Sequence, residues 1–187
     1  MSTDIDRSQE TVPIPAGVTF SLDGRTLRAK GPLGTTERPF PSDVIDLAAA
    51  KGSVVLTLRL PANRKRSQSL LKTWAAHVRN IGGGLSHGVE AKMKVVAAHF
   101  PMKVQVKGEE IVIENFLGEK HPRSTRLRPG TKAEVDGEFV RLSGHDVEQV
   151  GQSAANIERV TRIRNYDPRV FQDGIYLVER AHLKEAN

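Results

Sequence analysis

The sequence predicts an α+β fold built by tandem duplication, with a small, mostly antiparallel sheet packed against one helix in each copy. Two observations carry this prediction. Short runs of alternating apolar and polar residues flank turn signals such as Asp23-Gly24, which is typical of hairpins. The order of these elements then recurs along the chain at a constant offset, which places Leu27 on Ile111 and Gly34 on Gly118.

The first copy is expected to contain several strands and one late helix. The strands are predicted at 18–22, 25–30, 35–40, 53–60 and 89–98. The helix keeps apolar residues at helical spacing, namely Leu70, Trp74, Val78 and Ile81. Gly82-Gly83-Gly84 is expected to end this helix.

The second copy follows the same plan. Its strands are predicted at 104–107, 111–115, 132–135, 138–142 and 176–178. Asp146 and Gln149 resemble a capping box that opens a helix with apolar positions at Val147, Val150, Ala154, Ile157 and Val160. The chain is therefore expected to divide into a flexible tail (1–12), a first α+β repeat (13–98) and a second α+β repeat (99–187).

Positive charge is concentrated in three segments. The net charge is +6. Basic residues without acidic neighbours occur in 59–79 and 120–132, and four arginines between 159 and 169 are opposed only by Asp167. Clusters of this kind are typical of phosphate contact, so a nucleic-acid partner is favoured.

Several functional classes are disfavoured by what the sequence lacks. There are no cysteines, and the six histidines show no metal-ligand spacing, so no metal site or cofactor is predicted. No run of about 18 apolar residues exists, so no membrane partner is expected. Gly82-Gly83-Gly84 lacks the following Lys-Ser or Lys-Thr of a phosphate loop. No catalytic group of residues is found, which predicts a non-enzyme.

The segment from Arg162 to Gly174 is the first candidate RNA-binding site. The candidate residues are Arg162, Arg164, Asn165, Arg169, Gln172 and Gly174. Arginine suits phosphate because its planar fork donates two parallel hydrogen bonds, and Pro168 is expected to stiffen the turn. A solvated helix face is the alternative for the arginines, and turn capping is an equal alternative for Asn165 and Gln172. Tyr176 is expected to be half-buried at the core rather than to form a platform for a stacked base.

Two further basic clusters are candidates. Arg123, Arg126 and Arg128 lie in an alternating segment, and they either contact RNA or protect an edge strand by their charge. Arg64, Lys65 and Arg66 lie at a predicted helix N-terminus, where the helix dipole disfavours cations, so a nearby anion is inferred. A tolerated exposed cluster is the alternative there.

Three stretches of the sequence together resemble the large-subunit ribosomal protein L-six family in its archaeal and eukaryotic form. They are residues 115–120 (Asn-Phe-Leu-Gly-Glu-Lys), the helix start at 146–155 and residues 167–176. The resemblance covers nearly the whole chain apart from the polar tail, and its specificity comes from the order and spacing of weak motifs.

The resemblance implies a structural protein of the large subunit that binds large-subunit rRNA near the sarcin–ricin loop and the base of the factor-recruiting stalk. The second domain is then the main rRNA contact. Neighbouring large-subunit proteins, and translation factors through the stalk base, are the implied protein partners, in cytoplasmic ribosomes. In the bacterial branch the turn that matches 167–174 carries lysines and glycines. Here Arg169, Gln172 and Asp173 replace them, so contacts of those lysines are not transferred.

The sequence therefore predicts a non-enzymatic rRNA-binding scaffold that supports translation and relies on phosphate and shape contacts. The alternative is a free-standing nucleic-acid-binding module outside the ribosome. Such a module needs exposed aromatic residues for stacking, and the aromatic content of 5% disfavours it.

Overall fold

The structure is a computed structural model that describes residues 9–50, 52–59, 65–167 and 169–184. The chain forms two compact units, Met1–His87 and Gly88–Asn187, and each unit has its own apolar core. Both units combine antiparallel sheets with one α-helix, which confirms the predicted α+β class.

The described part of the first unit contains strands followed by a helix. They are β1 (Gln9–Pro13), β2 (Thr19–Asp23), β3 (Thr26–Gly31), β4 (Gly34–Pro39), β5 (Ile45–Ala50), β6 (Ser53–Leu58) and α1 (Lys65–His87). One sheet has the order β2-β3-β4, and the other has the order β1-β6-β5. Leu71, Val78 and Leu85 place the apolar face of α1 in the core that both sheets share.

Part of the tail expected at residues 1–12 belongs to the fold. Residues 1–8 lie outside the described residues, but β1 pairs with β6 along its whole length, and Val12 is fully buried. A buried apolar residue in a paired strand belongs to the fold, so the first unit begins earlier than residue 13.

Helix α1 continues through Gly82-Gly83-Gly84, so the prediction that these glycines end the helix is wrong. All three glycines are buried. A Cβ atom on Gly82 would lie 3.3 Å from Cδ of Pro15, and one on Gly31 of the facing strand would lie 2.8 Å from Cβ of Leu85. The glycines therefore allow close packing of helix against sheet, which outweighs their low helix propensity.

The second unit has a similar set of elements and one additional strand. They are β7 (Val89–Val96), β8 (Lys103–Lys107), β9 (Glu110–Glu114), β10 (Arg123–Arg126), β11 (Thr131–Asp136), β12 (Phe139–Gly144), α2 (Val147–Val160) and β13 (Gly174–Leu183). One sheet has the order β8-β9-β10, and the other has the order β11-β12-β7-β13. A single 3-10 turn, Phe116–Gly118, follows β9.

The strand pairing shows how the duplication is arranged. Strand β7 pairs with β12 as β1 pairs with β6, so β7 opens the second unit instead of closing the first. The boundary therefore lies at His87 and Gly88 rather than near His99. Strand β13 pairs on the other side of β7 and has no counterpart among the described residues of the first unit.

Helix α2 begins as predicted. The carboxylate of Asp146 accepts a hydrogen bond of 2.8 Å from the backbone N–H of Glu148 and caps the helix. Val150, Ala154 and Ile157 are buried in the second core together with Ile175 of β13. The helix is thereby fixed against the strand that follows the candidate RNA-binding segment.

Candidate nucleic-acid interface

Thr161 fixes the chain where it leaves α2. Its buried hydroxyl donates to the carbonyl oxygen of Ile157 at 3.2 Å and accepts from the backbone N–H of Ile175 at 3.2 Å. Because Ile175 lies at the start of β13, the helix end and the strand start are held together. Residues 162–167 and 169–173 therefore lie in a surface loop with both ends fixed, which we call the arginine loop.

Arginine side chains surround the end of α2. Arg159 lies in the last helical turn, and Arg162 and Arg164 follow it; all three are exposed. Ile163 between them packs against the core, so the two arginines beside it face solvent. Cations at a helix C-terminus are stabilised by the helix dipole. The local structure thus favours this concentration of positive charge.

Asp167 stiffens the tip of the arginine loop. Its carboxylate accepts from the backbone N–H of Arg169 at 2.9 Å, and its carbonyl oxygen accepts from the N–H of Phe171 at 3.0 Å. Asn165 has a φ of 65°, in the left-handed region that asparagine tolerates better than most residues. Pro168, which is expected from the sequence to stiffen the turn, lies outside the described residues. The exposed Arg169 is held by the Asp167 turn.

Aromatic rings form the base of the arginine loop. The ring of Phe171 lies 4.6 Å from that of His99 and 4.9 Å from that of Tyr166, measured between centroids. Tyr166 is 52% exposed at the outer end of this stack. The stack packs the loop against the segment that follows β7, and no pattern in the sequence predicted this contact.

Asp173 is a buried carboxylate that anchors the other end of the loop. One oxygen accepts from the backbone N–H of His99 at 3.0 Å, and the other lies 2.8 Å from Nδ1 of the same residue. Burial raises the pKa of Asp173, but hydrogen bonds from His99 and from the backbone of Ala98 outweigh it and leave the pKa below its usual value. The ionised carboxylate therefore fixes this corner of the unit.

Gly174 and Tyr176 are linked by close packing. The Tyr176 hydroxyl donates to the carbonyl oxygen of Gln172 at 3.2 Å, which folds the ring back over the loop. A Cβ atom on Gly174 would lie 2.9 Å from Cζ of this ring. Tyr176 is 41% exposed, which fits the half-buried position expected for it. Gly174 provides the space in which the ring lies.

An open groove runs between the last turns of α2 and the residues before β13. Its volume is about 650 Å³, and its lining includes Glu158, Arg159, Arg162, Ile163, Phe171 and Tyr176. A neighbouring depression of about 240 Å³ shares Arg159 and Arg162 and is completed by Arg123 and Arg164. The arginines therefore border two concave surfaces. Gln172, which also lines the larger groove, is exposed.

Arg123 uses its guanidinium within the protein. It pairs with the carboxylate of Glu119 at 2.6 and 2.8 Å, and its Nη1 atom donates to the carbonyl oxygens of Val160 and Arg162 at 2.8 and 3.2 Å. It also lies over the ring of Phe116, at 4.2 Å from the centroid. The ion pair lowers the pKa of Glu119. Arg123 thus positions the end of α2, which distinguishes it from the exposed arginines.

Arg126 and Arg128 lie at the edge of a sheet. Strand β10 is the outer strand of its sheet, and both arginines are exposed. The backbone N–H of Arg128 donates to the hydroxyl of Ser153 at 2.9 Å, which ties this edge to the middle of α2. Both residues are available for a partner, and their charge also protects the strand edge.

The basic cluster of the first unit is only partly described. Lys65 and Arg66 are exposed in the first turn of α1, which contains no acidic residue in its described part. Arg64 lies outside the described residues. Two cations at a helix N-terminus cost some stability, because the helix dipole disfavours positive charge there.

The described ranges contain no group of three or more histidine, aspartate or glutamate side chains that is arranged to hold a metal ion. Within the same ranges, no helix is long and apolar enough to cross a bilayer.

Comparison with known proteins now identifies the family. A sequence profile described as ribosomal protein L6 matches residues 100–174, which include β8 to α2 and the whole arginine loop. The large ribosomal subunit protein uL6 of Methanosarcina mazei is 46% identical over 91% of this chain and 96% of its own length. The chain belongs to the ribosomal protein L6 family.

Two further archaeal members of the L6 family show the same extent of similarity. The uL6 protein of Methanospirillum hungatei is 44% identical over 92% of this chain and 97% of its own length, and that of Methanobrevibacter smithii is 41% identical over 92% and 96%. These relatives confirm the archaeal and eukaryotic type of the family. As a member of the L6 family, the chain is a protein of the large ribosomal subunit and not an enzyme.

Sequence patterns did not identify the aromatic residues beside the arginines. The chain has two tyrosines, and both lie in this segment, at Tyr166 and Tyr176, with Phe171 between them. In a chain with 5% aromatic residues, this concentration beside four arginines was a usable signal. The low aromatic content of the whole chain gave no sign of this local enrichment in aromatic residues.

Proposed function

We propose that the second unit binds large-subunit rRNA near the sarcin–ricin loop and the base of the factor stalk, and that the chain supports translation there as a structural constituent of cytoplasmic ribosomes. Neighbouring large-subunit proteins, and translation factors that reach the stalk base, are the proposed protein partners. The family supports a ribosomal role, and the arginine loop supports the choice of surface.

One observation carries the choice of surface: Arg162, Arg164 and Arg169 are exposed on a loop whose two ends and tip are each fixed by hydrogen bonds. A fixed loop loses little conformational entropy when it binds. Arginine donates bidentate hydrogen bonds to phosphate oxygens. The loop is therefore a preorganised phosphate-binding surface.

The other candidate residues take different parts in this proposal. Arg126 and Arg128 extend the positive surface along the edge of β10, and Asn165 and Gln172 donate to phosphate or ribose. Gly174 and Arg123 position their neighbours. Lys65 and Arg66, together with Arg64, form a second and weaker contact in the first unit.

Replacement of Arg162, Arg164 and Arg169 by alanine together tests the surface. We expect affinity for large-subunit rRNA to fall and the slope of log K against log salt to decrease by about three, because each lost phosphate contact removes about one from the slope. The matched control removes three exposed basic residues elsewhere in the second unit, Lys103, Lys107 and Arg141. A larger effect of the control than of the loop variant would contradict the choice of surface.

The absence of cysteine makes the location directly testable. A single cysteine at Val170, which is 59% exposed in the arginine loop, can carry an iron chelate that cleaves nearby RNA in assembled subunits. Cleavage is expected in and around the sarcin–ricin loop. Cleavage confined to distant rRNA would overturn the proposed location and leave the ribosomal role intact.

Sedimentation separates this function from the free-standing alternative. The tagged chain, expressed at its natural level, is expected to sediment with large subunits and to remain there at moderate salt. A chain that sediments only as free protein would support a nucleic-acid-binding module outside the ribosome.

A further inference from the structure

We propose that the groove beside α2 holds one unpaired base of large-subunit rRNA, stacked on the ring of Tyr176. This inference rests on the proposed function, because it identifies which part of the RNA enters the surface.

The ring of Tyr176 is fixed before any ligand binds. Its hydroxyl donates to the carbonyl oxygen of Gln172, and its edge lies over Gly174 at a distance that no Cβ atom would permit. Tyr176 is nevertheless 41% exposed and lines the groove. Aromatic side chains held in this way are the usual platforms for unpaired bases in RNA recognition.

The groove has the size and lining that a nucleotide requires. Its volume of about 650 Å³ falls within the usual range for sites that hold small organic groups, about 300–1,000 Å³. Ile163 and Phe171 contribute apolar surface to the lining beside Tyr176, and Arg159 and Arg162 contribute positive charge to it. A flat apolar group that carries a phosphate matches this combination.

The concave shape excludes a paired base. Bases in a duplex are stacked on each other and do not enter a groove, whereas an unpaired base in a loop or bulge does. Glu158 also lines the groove, and its carboxylate repels phosphate and accepts hydrogen bonds. The phosphate is therefore placed at Arg159 and Arg162, and a base edge with an amino group is placed toward Glu158.

Gly174 acts as a positioning residue in this arrangement. An alanine there would place its Cβ atom 2.9 Å from Cζ of Tyr176 and would push the ring from its place. The backbone of Gly174 itself tolerates a side chain, because its φ lies outside the positive region. Gly174→Ala therefore moves the Tyr176 ring out of its place, whereas the ring itself is still present in the variant.

The test measures binding of the full chain to deproteinised large-subunit rRNA from the same cell. Tyr176→Leu is expected to weaken binding about tenfold, because one base loses its stacking partner. The salt slope is expected to stay unchanged, because no phosphate contact is lost. Gly174→Ala is expected to resemble Tyr176→Leu. Phe100→Leu removes another exposed aromatic residue of the same unit and is the matched control.

Ultraviolet crosslinking of the wild-type chain gives a second measurement that needs no variant. Trypsin releases residues 170–180 as one peptide, and a nucleotide attached at Tyr176 is expected in it by mass spectrometry. Unchanged binding of Tyr176→Leu, or crosslinks only at other peptides, would overturn the stacked base. The proposed function would still stand if the arginine triple variant lost binding. Failure of the wild-type chain to bind rRNA would overturn both.

Discussion

The Nη1 atom of Arg123 donates a hydrogen bond of 2.8 Å to the carbonyl oxygen of Val160, the last residue of α2. The last carbonyl groups of a helix lack partners within the helix, so this arginine caps the helix from a neighbouring strand. The position of Arg159 and of the arginine loop therefore depends on Arg123, although its own guanidinium is engaged within the protein.

Arg123→Lys is expected to lower the free energy of unfolding by about 1–3 kcal/mol. Lysine keeps the charge, but it does not reproduce the fork that joins Glu119, the end of α2 and the ring of Phe116. Urea unfolding followed by circular dichroism measures the loss. Arg126→Lys, at an exposed position of the same strand, is the control and should change stability by less than about 0.5 kcal/mol. Equal effects of the two variants would contradict the capping role.

Asp173→Asn is expected to lower the free energy of unfolding by about 1–3 kcal/mol near neutral pH. The buried carboxylate accepts a hydrogen bond from the backbone N–H of His99, and its other oxygen lies close to Nδ1 of the same residue. The folded pKa of Asp173 lies below its usual value, so its stabilisation is present above the unfolded pKa of about 3.9 and is lost as pH falls through the folded pKa. The stability difference between wild type and variant should therefore shrink below about pH 4. Unfolding curves at several pH values, with exposed Glu134→Gln as the control, measure it. A difference that grows on acidification would contradict this assignment.

Two glycines of the second unit are expected to respond to alanine with opposite signs. Gly151 lies within α2, and the nearest atom to an added Cβ is Cβ of Ala181 at 3.9 Å, so Gly151→Ala should stabilise by about 0.5–1 kcal/mol through helix propensity. A Cβ atom on Gly144 would lie 2.8 Å from both the carbonyl oxygen of Gly130 and Cγ2 of Val150, so Gly144→Ala should destabilise by about 1–3 kcal/mol. Thermal unfolding compares the two variants, and effects of the same sign would show that the strand packing adapts.

Local patterns predicted the hairpins and both helices, because turn residues and apolar periodicity act over a few positions. The pairs that define the units are distant in sequence, such as Leu142 with Ala91 and Leu177 with Met93. Alternation within β7 indicated a strand and carried no information about its partner. The boundary was therefore expected after β7, whereas the structure places it before that strand.

The part of the candidate site that was predicted from the sequence is the part that consists of charged residues. Arg162, Arg164 and Arg169 are exposed as their pattern indicated, and the alternation around Arg126 indicated an edge strand that the structure contains. The interactions of Arg123 and the exposure of Tyr176 depend on residues brought together by folding, namely Val160 for the former and Gly174 for the latter. No pattern in the sequence specifies these contacts.

Replacement of Lys65 and Arg66 by alanine should affect stability and RNA binding in opposite directions. Both cations lie in the first turn of α1, where the helix dipole opposes them by about 0.3–1 kcal/mol each at low ionic strength. Their removal should therefore raise the free energy of unfolding of the free protein. If they contact rRNA phosphate, their removal should also weaken binding and lower the salt slope by about two.

The matched variant removes two charges from the second unit, Arg162 and Arg164. It should weaken binding more than the Lys65 and Arg66 pair, because the arginine loop is held at both ends and its arginines follow a helix C-terminus that favours them. Filter binding across a salt series, together with unfolding of each free variant, gives both quantities. A stronger binding loss for the first-unit pair would make the first unit the main rRNA contact. Unchanged binding for that pair would leave its cations as a tolerated exposed cluster.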